Sequence, residues 1–457
     1  MNPNIVNDIL EELERRQQRR NSFRALRDNS NPFELPEDVF RKIYRLNVDA
    51  ASGLFQQMLP FWDQGVRVTR TPPVVRFFHG PTLGQDCLSG SSQPNVSRSL
   101  HEVVDILVNQ LANRFIKFPQ TAKEMAGVKE QFFERFHIPG IIGCIDCTHI
   151  KIVPPTHMDL GYPPNVFMNR KNFYSLNCQI ICDSNCKILA INSRFPGSVH
   201  DAAIWRMCTP RRYLHRRYRN GDENTYLLGD SGYPLLPYLL TPIVGAPPNS
   251  PAARYTHRHS QIRNCVERTI GQFKGIWRCL SADRVLHYKP NFAARIVYAC
   301  AIIYNLMKAQ NVPMDEDLII LGDNENNVIN NAVFINELEE GALLNRGQVI
   351  RNRIKNYITY IYCLLLDKSE NLTFKSENSE NTDDQKGTKE HCSSFKDLGI
   401  LFDNNISFAE HISNTVSSAL KTQGFIIRNC NSFTNLNALK TLSLEIFILI
   451  KSLNSIY

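Results

Sequence analysis

The stretch that decides the fold is residues 140–152, which read GIIGCIDCTHIKI. It is a short apolar run bracketed by Gly and Pro, a pattern typical of a buried β-strand. A single carboxylate, Asp146, lies in its middle. A carboxylate buried in a strand costs several kcal/mol of desolvation unless its charge is compensated. A buried cation, a dense set of hydrogen bonds or a bound metal ion would each compensate it, and all three remain open at this point.

Two further carboxylates lie in stretches that predict regular secondary structure. Residues 225–236 read TYLLGDSGYPLL and predict a short strand ending at Asp230, where a Gly and Pro turn presents the side chain. Residues 261–280 carry apolar side chains at helical spacing and predict an amphipathic helix, with Glu267 beside its apolar stripe. Two strands and one helix therefore supply one carboxylate each.

Three carboxylates on rigid elements suit two-metal phosphoryl chemistry. Hard divalent cations bind carboxylate oxygens, and two ions about 3.5–4 Å apart hold the attacking and leaving oxygens of an in-line displacement. We therefore predict that Asp146, Asp230 and Glu267 are catalytic and hold Mg²⁺ or Mn²⁺ as a pair of ions. Asp201 is a further candidate ligand and the chief rival of Asp230. Asp230 is preferred because the strand before it can lie beside the first strand.

Four stretches together resemble the DDE endonuclease domain of Harbinger-type transposases and the host nucleases derived from them. They read GCIDCTHIKI, FPGSVHDAAIW, LLGDSGYPLL and NCVERTIGQFKGIWRCL, in the order and with the spacing of that family. The resemblance covers residues 31–308 and implies an α/β, RNase H-like domain, a mixed sheet flanked by helices, that cuts DNA with divalent metal. Matched residue by residue, the family's triad falls on Asp146, Asp230 and Glu267. The resemblance also implies a partner protein that supplies Myb-like DNA binding.

A helical region resembling the helix-turn-helix of the same family precedes this domain. Residues 90–92 would form the turn, and residues 93–107 the second helix, with a short first helix because prolines precede the turn. In such motifs the start of the second helix meets base edges or phosphate. The alternative is an ordinary bundle helix with a solvated polar face. The candidate DNA contacts are Gln93, Asn95, Ser97 and Arg98.

His200 and Asp201 form a pair at the start of a predicted helix, in the stretch FPGSVHDAAIW. The functional interpretation places both residues next to the metal ligands, because the family carries the same pair here. The alternative is an N-capping Asp with a nearby His, which needs no chemistry. Both interpretations stay open.

Basic residues surround the predicted site. Beside a nuclease site they are candidates for contact with the phosphate backbone, which would make binding fall steeply with salt. The alternative is ordinary solvated charge. The candidates are Arg211, Arg212, Arg216, Arg217, Arg268 and Lys274.

Composition sets broad limits on the function. The chain has 457 residues and a formal net charge of +8, which fits a nucleic-acid partner without requiring one. Its 13 cysteines are scattered, so reduced thiols in the nucleus or the cytoplasm are expected. The pair Cys144 and Cys147 lacks a second pair at finger spacing, which argues against zinc. No membrane span is expected, because the longest apolar run, residues 293–307, is broken by Arg295 and Asn305.

The sequence predicts five regions. The last resembles the segment after the palm of reverse transcriptases from non-LTR retrotransposons, on Asp397, Leu398, Gly399, Asp403, Phe408 and His411. That family's paired catalytic aspartates are missing, so no polymerase activity is expected. The regions are a charged tail (1–30), a helical region (31–138), the endonuclease domain (139–310), a largely disordered acidic and Asn-rich linker (311–394) and the polymerase-like fragment (395–457).

Two functions of different class follow from this pattern. The first is a metal-dependent DNA endonuclease of transposase origin, and the second is a catalytically silent DNA-binding or adaptor protein that keeps the fold. The oligomeric state stays open.

Overall fold

The computed structural model describes most of the chain between residues 31 and 310 and shorter segments outside it. The chain forms two compact units, Met1–Glu370 and Asn371–Tyr457. The predicted turn at residues 90–92 and most of the predicted tail and polymerase-like fragment lie outside the described residues. The described residues are 12–15, 17–18, 21, 31–62, 73–79, 93–156, 161–281, 283–310, 337–377, 395–397 and 400–402.

Short helices form the first part of the described chain. Asn47 caps the helix Val48–Met58, where its side chain accepts a hydrogen bond from the Ala50 amide at 2.9 Å. Thr121 and Glu124 form a capping box at the start of the helix Ala122–Phe136. Short 3₁₀ turns lie at Pro32–Glu34 and Leu59–Phe61, and a π-helical turn at Leu107–Leu111. The helices are α1 Glu37–Tyr44, α2 Val48–Met58, α3 Pro73–His79, α4 Gln93–Ile106, α5 Ala112–Phe115 and α6 Ala122–Phe136.

A mixed five-stranded sheet follows, in the order β3-β2-β1-β4-β5. The first strand pairs antiparallel with the second and parallel with the fourth; the second and third are antiparallel, and the fourth and fifth parallel. The α/β class and the predicted first strand are confirmed. The strands are β1 Ile141–Lys151, β2 Ser175–Cys182, β3 Ile188–Pro196, β4 Tyr226–Leu228 and β5 Leu239–Leu240.

Helices cover both faces of the sheet. Side chains alternate along a strand, so neighbouring residues of β1 enter different layers. Cys144 packs in the layer with Val266 and Phe273, whereas Ile145 packs in the layer with Trp205. The helices are α7 Pro164–Phe167, α8 Asp201–Met207, α9 Thr209–Arg219, α10 Pro251–Ile276, α11 Pro290–Ala309 and α12 Glu337–Glu377, with a 3₁₀ turn at Arg278–Leu280.

The helix α11 corrects the prediction that no stretch is long and apolar enough for a membrane. Among the described residues it alone passes that test of length and composition. Most of it is buried inside the fold, where Asn305 donates hydrogen bonds to the backbone carbonyls of Phe115 and Ile188. It is built as a core helix that joins the helical region to the sheet.

The helix α12 replaces part of the predicted disordered linker. Leu343, Ile350 and Ile354 recur at helical spacing and are buried. Arg346 adds an ion pair with Glu223, with 2.6 Å between Nη2 and Oε2. The acidic and Asn-rich composition of residues 311–336, which lie outside the described residues, concealed this apolar face.

The small two-stranded sheet of the second unit is antiparallel and pairs Phe395–Asp397 with Ile400–Phe402. It lies at the start of the region predicted over residues 395–457.

The imidazole of His259 fixes α10 to the sheet. The side chain is buried, and Nε2 donates to the backbone carbonyl of Leu240 on β5 at 3.1 Å. Burial lowers the pKa of His259 to about 4, although the hydrogen bond to Leu240 raises it. The side chain of His259 is therefore neutral in the folded state at neutral pH.

We expect the contribution of His259 to the stability of the fold to fall as the pH drops from about 6.5 to about 4, while Asp146, whose pKa burial raises to about 7, acts in the opposite direction. Above this window both states hold a neutral His259 and the full stability is present. Within it the unfolded chain takes up a proton that the folded state resists, a loss of about 3 kcal/mol. Urea denaturation across this pH range measures the effect.

The variant His259→Gln keeps a donor for Leu240 and removes the titration, so it should lose less stability than the wild type as the pH drops across the window. The control is His257→Gln, an exposed residue on the same helix. Equal pH slopes for the wild type and His259→Gln would contradict this assignment.

Candidate functional site

The parallel pairing of β1 with β4 brings Asp146 and Asp230 together. Cys144 aligns with Leu228 in the ladder, and each Asp lies two residues further along its own strand direction. Gly229 lets β4 turn tightly here, because a Cβ at this position would lie 3.0 Å from Cδ2 of Tyr233. The two carboxylates are therefore neighbours at one end of the β1–β4 ladder.

Backbone amides hold one oxygen of each carboxylate. The Cys147 amide donates to Oδ1 of Asp146 at 2.8 Å, and the Gly232 amide donates to Oδ1 of Asp230 at 3.0 Å. The second contact is the local turn that Asp commonly makes with the backbone two residues on. These contacts fix the direction of both carboxylates.

The helix α10 brings the third carboxylate through an arginine. Nη1 of Arg263 donates to Oδ2 of Asp146 at 2.8 Å, and Nη2 donates to Oε1 of Glu267. Arg263 and Glu267 lie one helical turn apart, so their side chains share a helix face. One guanidinium thus joins the carboxylate of a strand to the carboxylate of a helix. We call this arrangement the Arg263 bridge.

The charges of these groups act on one another. Burial raises the pKa of Asp146 to about 7; Arg263 lowers it, and the nearby carboxylates Asp230 and Asp201 raise it further. Burial alone would lower the pKa of Arg263, but Asp146, Glu267 and Asp230 outweigh burial and raise it. Of the three means of compensating Asp146, the structure shows a buried cation.

His200 and Asp201 separate in the structure. Asp201 is the first residue of α8, and its Oδ1 accepts a hydrogen bond from Nδ2 of Asn177 at 2.9 Å. His200 is at the N-cap position without a side-chain capping bond, and its ring contacts the Arg170 guanidinium, with 3.1 Å between Nε2 and Nη2. Asp201 is therefore not the N-cap residue. Its negative charge helps to raise the pKa of Asp146. His200 instead lies beside Arg170.

A second polar group lies on the other face of β1. The hydroxyl of Tyr233 is 3.3 Å from Sγ of Cys147 and accepts a hydrogen bond from Nε2 of Gln179 at 3.4 Å. Because Cys144 and Cys147 point to opposite faces of the strand, they do not share a metal. Burial raises the pKa of both the Cys147 thiol and the Tyr233 hydroxyl, so both stay protonated at neutral pH.

Sequence reasoning missed the bridging role of Arg263. Two signals were available: Arg263 precedes Glu267 by four residues, a spacing at which helical side chains meet, and Asp146 needed a partner charge. Arg263 meets Asp146 only because α10 packs against β1 in a particular alignment. The sequence alone does not give that alignment.

The candidate DNA contacts on α4 lie on its first turns. Gln93 and Arg98 are exposed, and Asn95 and Ser97 are half-buried. Arg98 folds back on its own helix, donating to the Pro94 carbonyl at 3.2 Å and to Oδ1 of Asn95 at 3.0 Å. The structure places these four side chains on one helix end but does not describe the turn before it.

The candidates on α9 divide into two kinds. Arg212 and Arg216 are exposed, whereas Arg211 is half-buried and donates to the Arg206 carbonyl at 3.3 Å. Arg217 is engaged internally, with 2.6 Å between its Nη2 and Oδ2 of Asp222.

The two candidates on α10 lie beyond Glu267. Nε of Arg268 donates to Sγ of Cys186 at 3.3 Å, and Lys274 is half-buried.

The three carboxylates suit a divalent metal in chemistry, since their oxygens are the ligands that Mg²⁺ and Mn²⁺ prefer. The Arg263 guanidinium is already a stand-in cation between Asp146 and Glu267. Among the described residues, however, no group of three or more His, Cys, Asp or Glu side chains is arranged to hold a metal ion. The three carboxylates are therefore suited to binding a cation, and in this structure the cation between Asp146 and Glu267 is the Arg263 guanidinium.

The fold and the three carboxylates agree with a family comparison. Residues 145–305 match the family of DDE superfamily endonucleases. The matched segment contains Asp146, Asp201, Asp230, Arg263 and Glu267, together with most of the sheet and α10.

Similarity to individual proteins covers about half of this chain. The protein named Putative nuclease HARBI1 of Rattus norvegicus is 33% identical over 220 residues, which are 48% of this chain and 60% of the relative. Its counterpart of Homo sapiens is 32% identical over 220 residues, with the same shares. Protein ALP1-like of Arabidopsis thaliana is 26% identical over 229 residues, 48% of this chain and 54% of the relative. The chain thus spans less than two thirds of these relatives. No solved structure matches it significantly.

Replacing Asn177 with Ala should lower the free energy of unfolding by about 1–3 kcal/mol, because buried acceptors lose their donor. Its Nδ2 serves both Asp201 and the Val199 carbonyl, the latter at 2.8 Å. Chemical denaturation measures the change. The control Asn113→Ala alters an exposed amide and should stay within about 0.5 kcal/mol of the wild type. A loss no larger than that of the control would show that Asn177 does not hold Asp201.

Proposed function

We propose that this protein is a metal-dependent DNA endonuclease of transposase origin. The observation that carries the proposal is the convergence of Asp146, Asp230 and Glu267, which are far apart in the chain, around one buried guanidinium. The match of residues 145–305 to DDE superfamily endonucleases supports it. The names of the rat and human relatives point the same way.

The RNase H-like arrangement is part of this proposal. Three antiparallel strands followed by two parallel ones, with the central strand carrying the first carboxylate, support it. In this arrangement the strands hold Asp146 and Asp230 rigidly, and α10 lays Glu267 across the same end of the sheet.

Hydrolysis of a phosphodiester forms a bond from water oxygen to phosphorus and breaks the bond to the leaving oxygen. A pair of divalent ions, if bound, would lower the pKa of the attacking water and stabilise charge on the leaving oxygen. The residues that would hold them are Asp146, Asp230 and Glu267, with Asp201 beside them. The backbone amides of Cys147 and Gly232 keep the Asp carboxylates oriented.

DNA contact is assigned to two surfaces. Exposed guanidinium groups on α9 would meet phosphate, and the start of α4 would serve as the recognition end of a helix-turn-helix. The overall excess of basic residues, a net charge of +8, agrees with this partner. A nuclear location and a Myb-like partner protein belong to the same proposal.

One observation favours a second function, that of a catalytically silent DNA-binding or adaptor protein. The Arg263 bridge places one positive charge between Asp146 and Glu267. A protein that kept this bridge permanently would keep its fold and its basic surfaces but would not cut.

The variant Asp146→Asn separates the two functions. We expect the wild type to nick supercoiled plasmid with Mn²⁺, and the variant to lose nicking while it binds DNA nearly as well, because Asn cannot supply the charged ligand. The control is Asp49→Asn, an exposed residue of α2. Cleavage that persists in Asp146→Asn and is abolished by EDTA would refute the assignment, and a wild type that binds but never nicks would favour the adaptor.

Arginines on α9 should differ in their effects on DNA. Arg212→Gln and Arg216→Gln remove exposed charges, so each should weaken DNA binding and reduce the salt slope by about 1. Arg217→Gln instead breaks the ion pair with Asp222 and should lower the thermal stability with little change in DNA affinity. Fluorescence anisotropy over a salt series, with thermal denaturation, measures both. A salt slope that changes as much for Arg217→Gln as for Arg212→Gln would contradict this division.

A further inference from the structure

The Arg263 bridge occupies one oxygen atom on each of two proposed metal ligands. Oδ1 of Asp146 accepts a hydrogen bond from the Cys147 amide and Oδ2 accepts one from Nη1 of Arg263, so both oxygens of this carboxylate already have a donor. Glu267 gives Oε1 to the other terminal nitrogen of the same guanidinium. Both arms of the arginine are therefore committed to proposed metal ligands.

We propose that Arg263 is a resident cation that must leave Asp146 and Glu267 before a divalent metal binds there. This inference rests on the proposed function. A guanidinium and a metal ion at the same oxygens repel each other strongly, because two positive charges a few ångströms apart in a poorly solvated site are weakly screened. The bridged form and the metal-bound form are thus alternatives.

The bridge also supports the metal-free protein. The Asp146 and Arg263 side chains are each only 18% exposed, so removing the arginine leaves a largely buried carboxylate without its partner charge. Losing one partner of such a pair destabilises a protein more than the pair itself stabilises it. Glu267 is the only acidic residue of α10, so the helix has no second carboxylate with which to hold Arg263 in its place.

The exchange has a measurable consequence for metal affinity. A site that is open only about a tenth of the time binds its ligand about tenfold more weakly than a site that is always open. Arg263 therefore acts as a positioning residue that lowers metal affinity while it holds the two carboxylates close together without metal.

The test measures Mn²⁺ binding to the full chain by electron paramagnetic resonance of the free ion, together with thermal denaturation in EDTA and in Mn²⁺. We expect Arg263→Gln to bind Mn²⁺ about tenfold more tightly. Its melting temperature should be lower than that of the wild type in EDTA and should rise more on adding Mn²⁺. A matched control is Arg258→Gln, on the same helix, whose Nη2 donates to the Phe136 carbonyl at 2.7 Å, away from the three carboxylates.

A second variant, Arg263→Lys, separates the bridge from general electrostatics. It keeps the positive charge but replaces the two-armed guanidinium with a single ammonium. If only charge mattered, its Mn²⁺ affinity would equal that of the wild type; if the bridge blocks the metal, its affinity should lie between those of the wild type and Arg263→Gln. This variant also covers the case in which Arg263→Gln fails to fold.

Each remaining outcome decides one claim. If neither Arg263 variant binds Mn²⁺ more tightly than the wild type, Arg263 is not a competing cation. The proposed function survives that result when Asp146→Asn abolishes the Mn²⁺ binding of the wild type. If Asp146→Asn leaves Mn²⁺ binding unchanged in every background, these carboxylates do not bind the metal, and the proposed function falls as well.

Discussion

One guanidinium joins the carboxylates of the candidate functional site. Arg263 takes an oxygen of Asp146 from the sheet and an oxygen of Glu267 from α10, and its charge compensates a carboxylate that burial alone would keep protonated near neutral pH. Without a cation in this position, the packing of α10 against β1 would leave two acidic side chains close together with their repulsion unopposed. The helix and the strand can approach because a positive charge stands between their carboxylates.

The remainder of the fold holds these elements in register. Parallel pairing of β1 with β4 sets Asp230 beside Asp146, and the hydrogen bond from His259 to Leu240 fixes α10 against β5. The opposite layer, built around Trp205 and Tyr238, closes the other face of the sheet. The three elements that carry the carboxylates, β1, β4 and α10, meet at one end of the sheet. The neutral side chain of His259 and the surrounding apolar side chains fix their positions.

Much of this arrangement was predictable from local pattern. The apolar run around Asp146, the short strand before Asp230 and the helical spacing around Glu267 each predict the element that the structure shows, because periodicity reports burial directly. The α/β class and the mixed sheet were implied by the resemblance of four stretches to the DDE endonuclease domain. The match to DDE superfamily endonucleases extends over residues 145–305, so it does not depend on any single motif.

What could not be predicted depends on contacts between distant segments. The Arg263 bridge needs the register of β1 against α10, and the engagement of Arg217 with Asp222 needs the chain to turn back at the end of α9. The burial of α12 was hidden by the composition of the residues before it, although Leu343, Ile350 and Ile354 mark one face. Sequence patterns identified the elements and the acidic residues, while tertiary contacts decided which basic residues remain exposed.

The most direct test of the account is a crystal structure of the full chain grown with Mn²⁺ and recorded at the manganese absorption edge. The account predicts anomalous density among Asp146, Asp230 and Glu267, with the Arg263 side chain withdrawn from both of its carboxylate partners. Arg263 still bridging Asp146 and Glu267, with no anomalous density near Asp230 at saturating Mn²⁺, would contradict it.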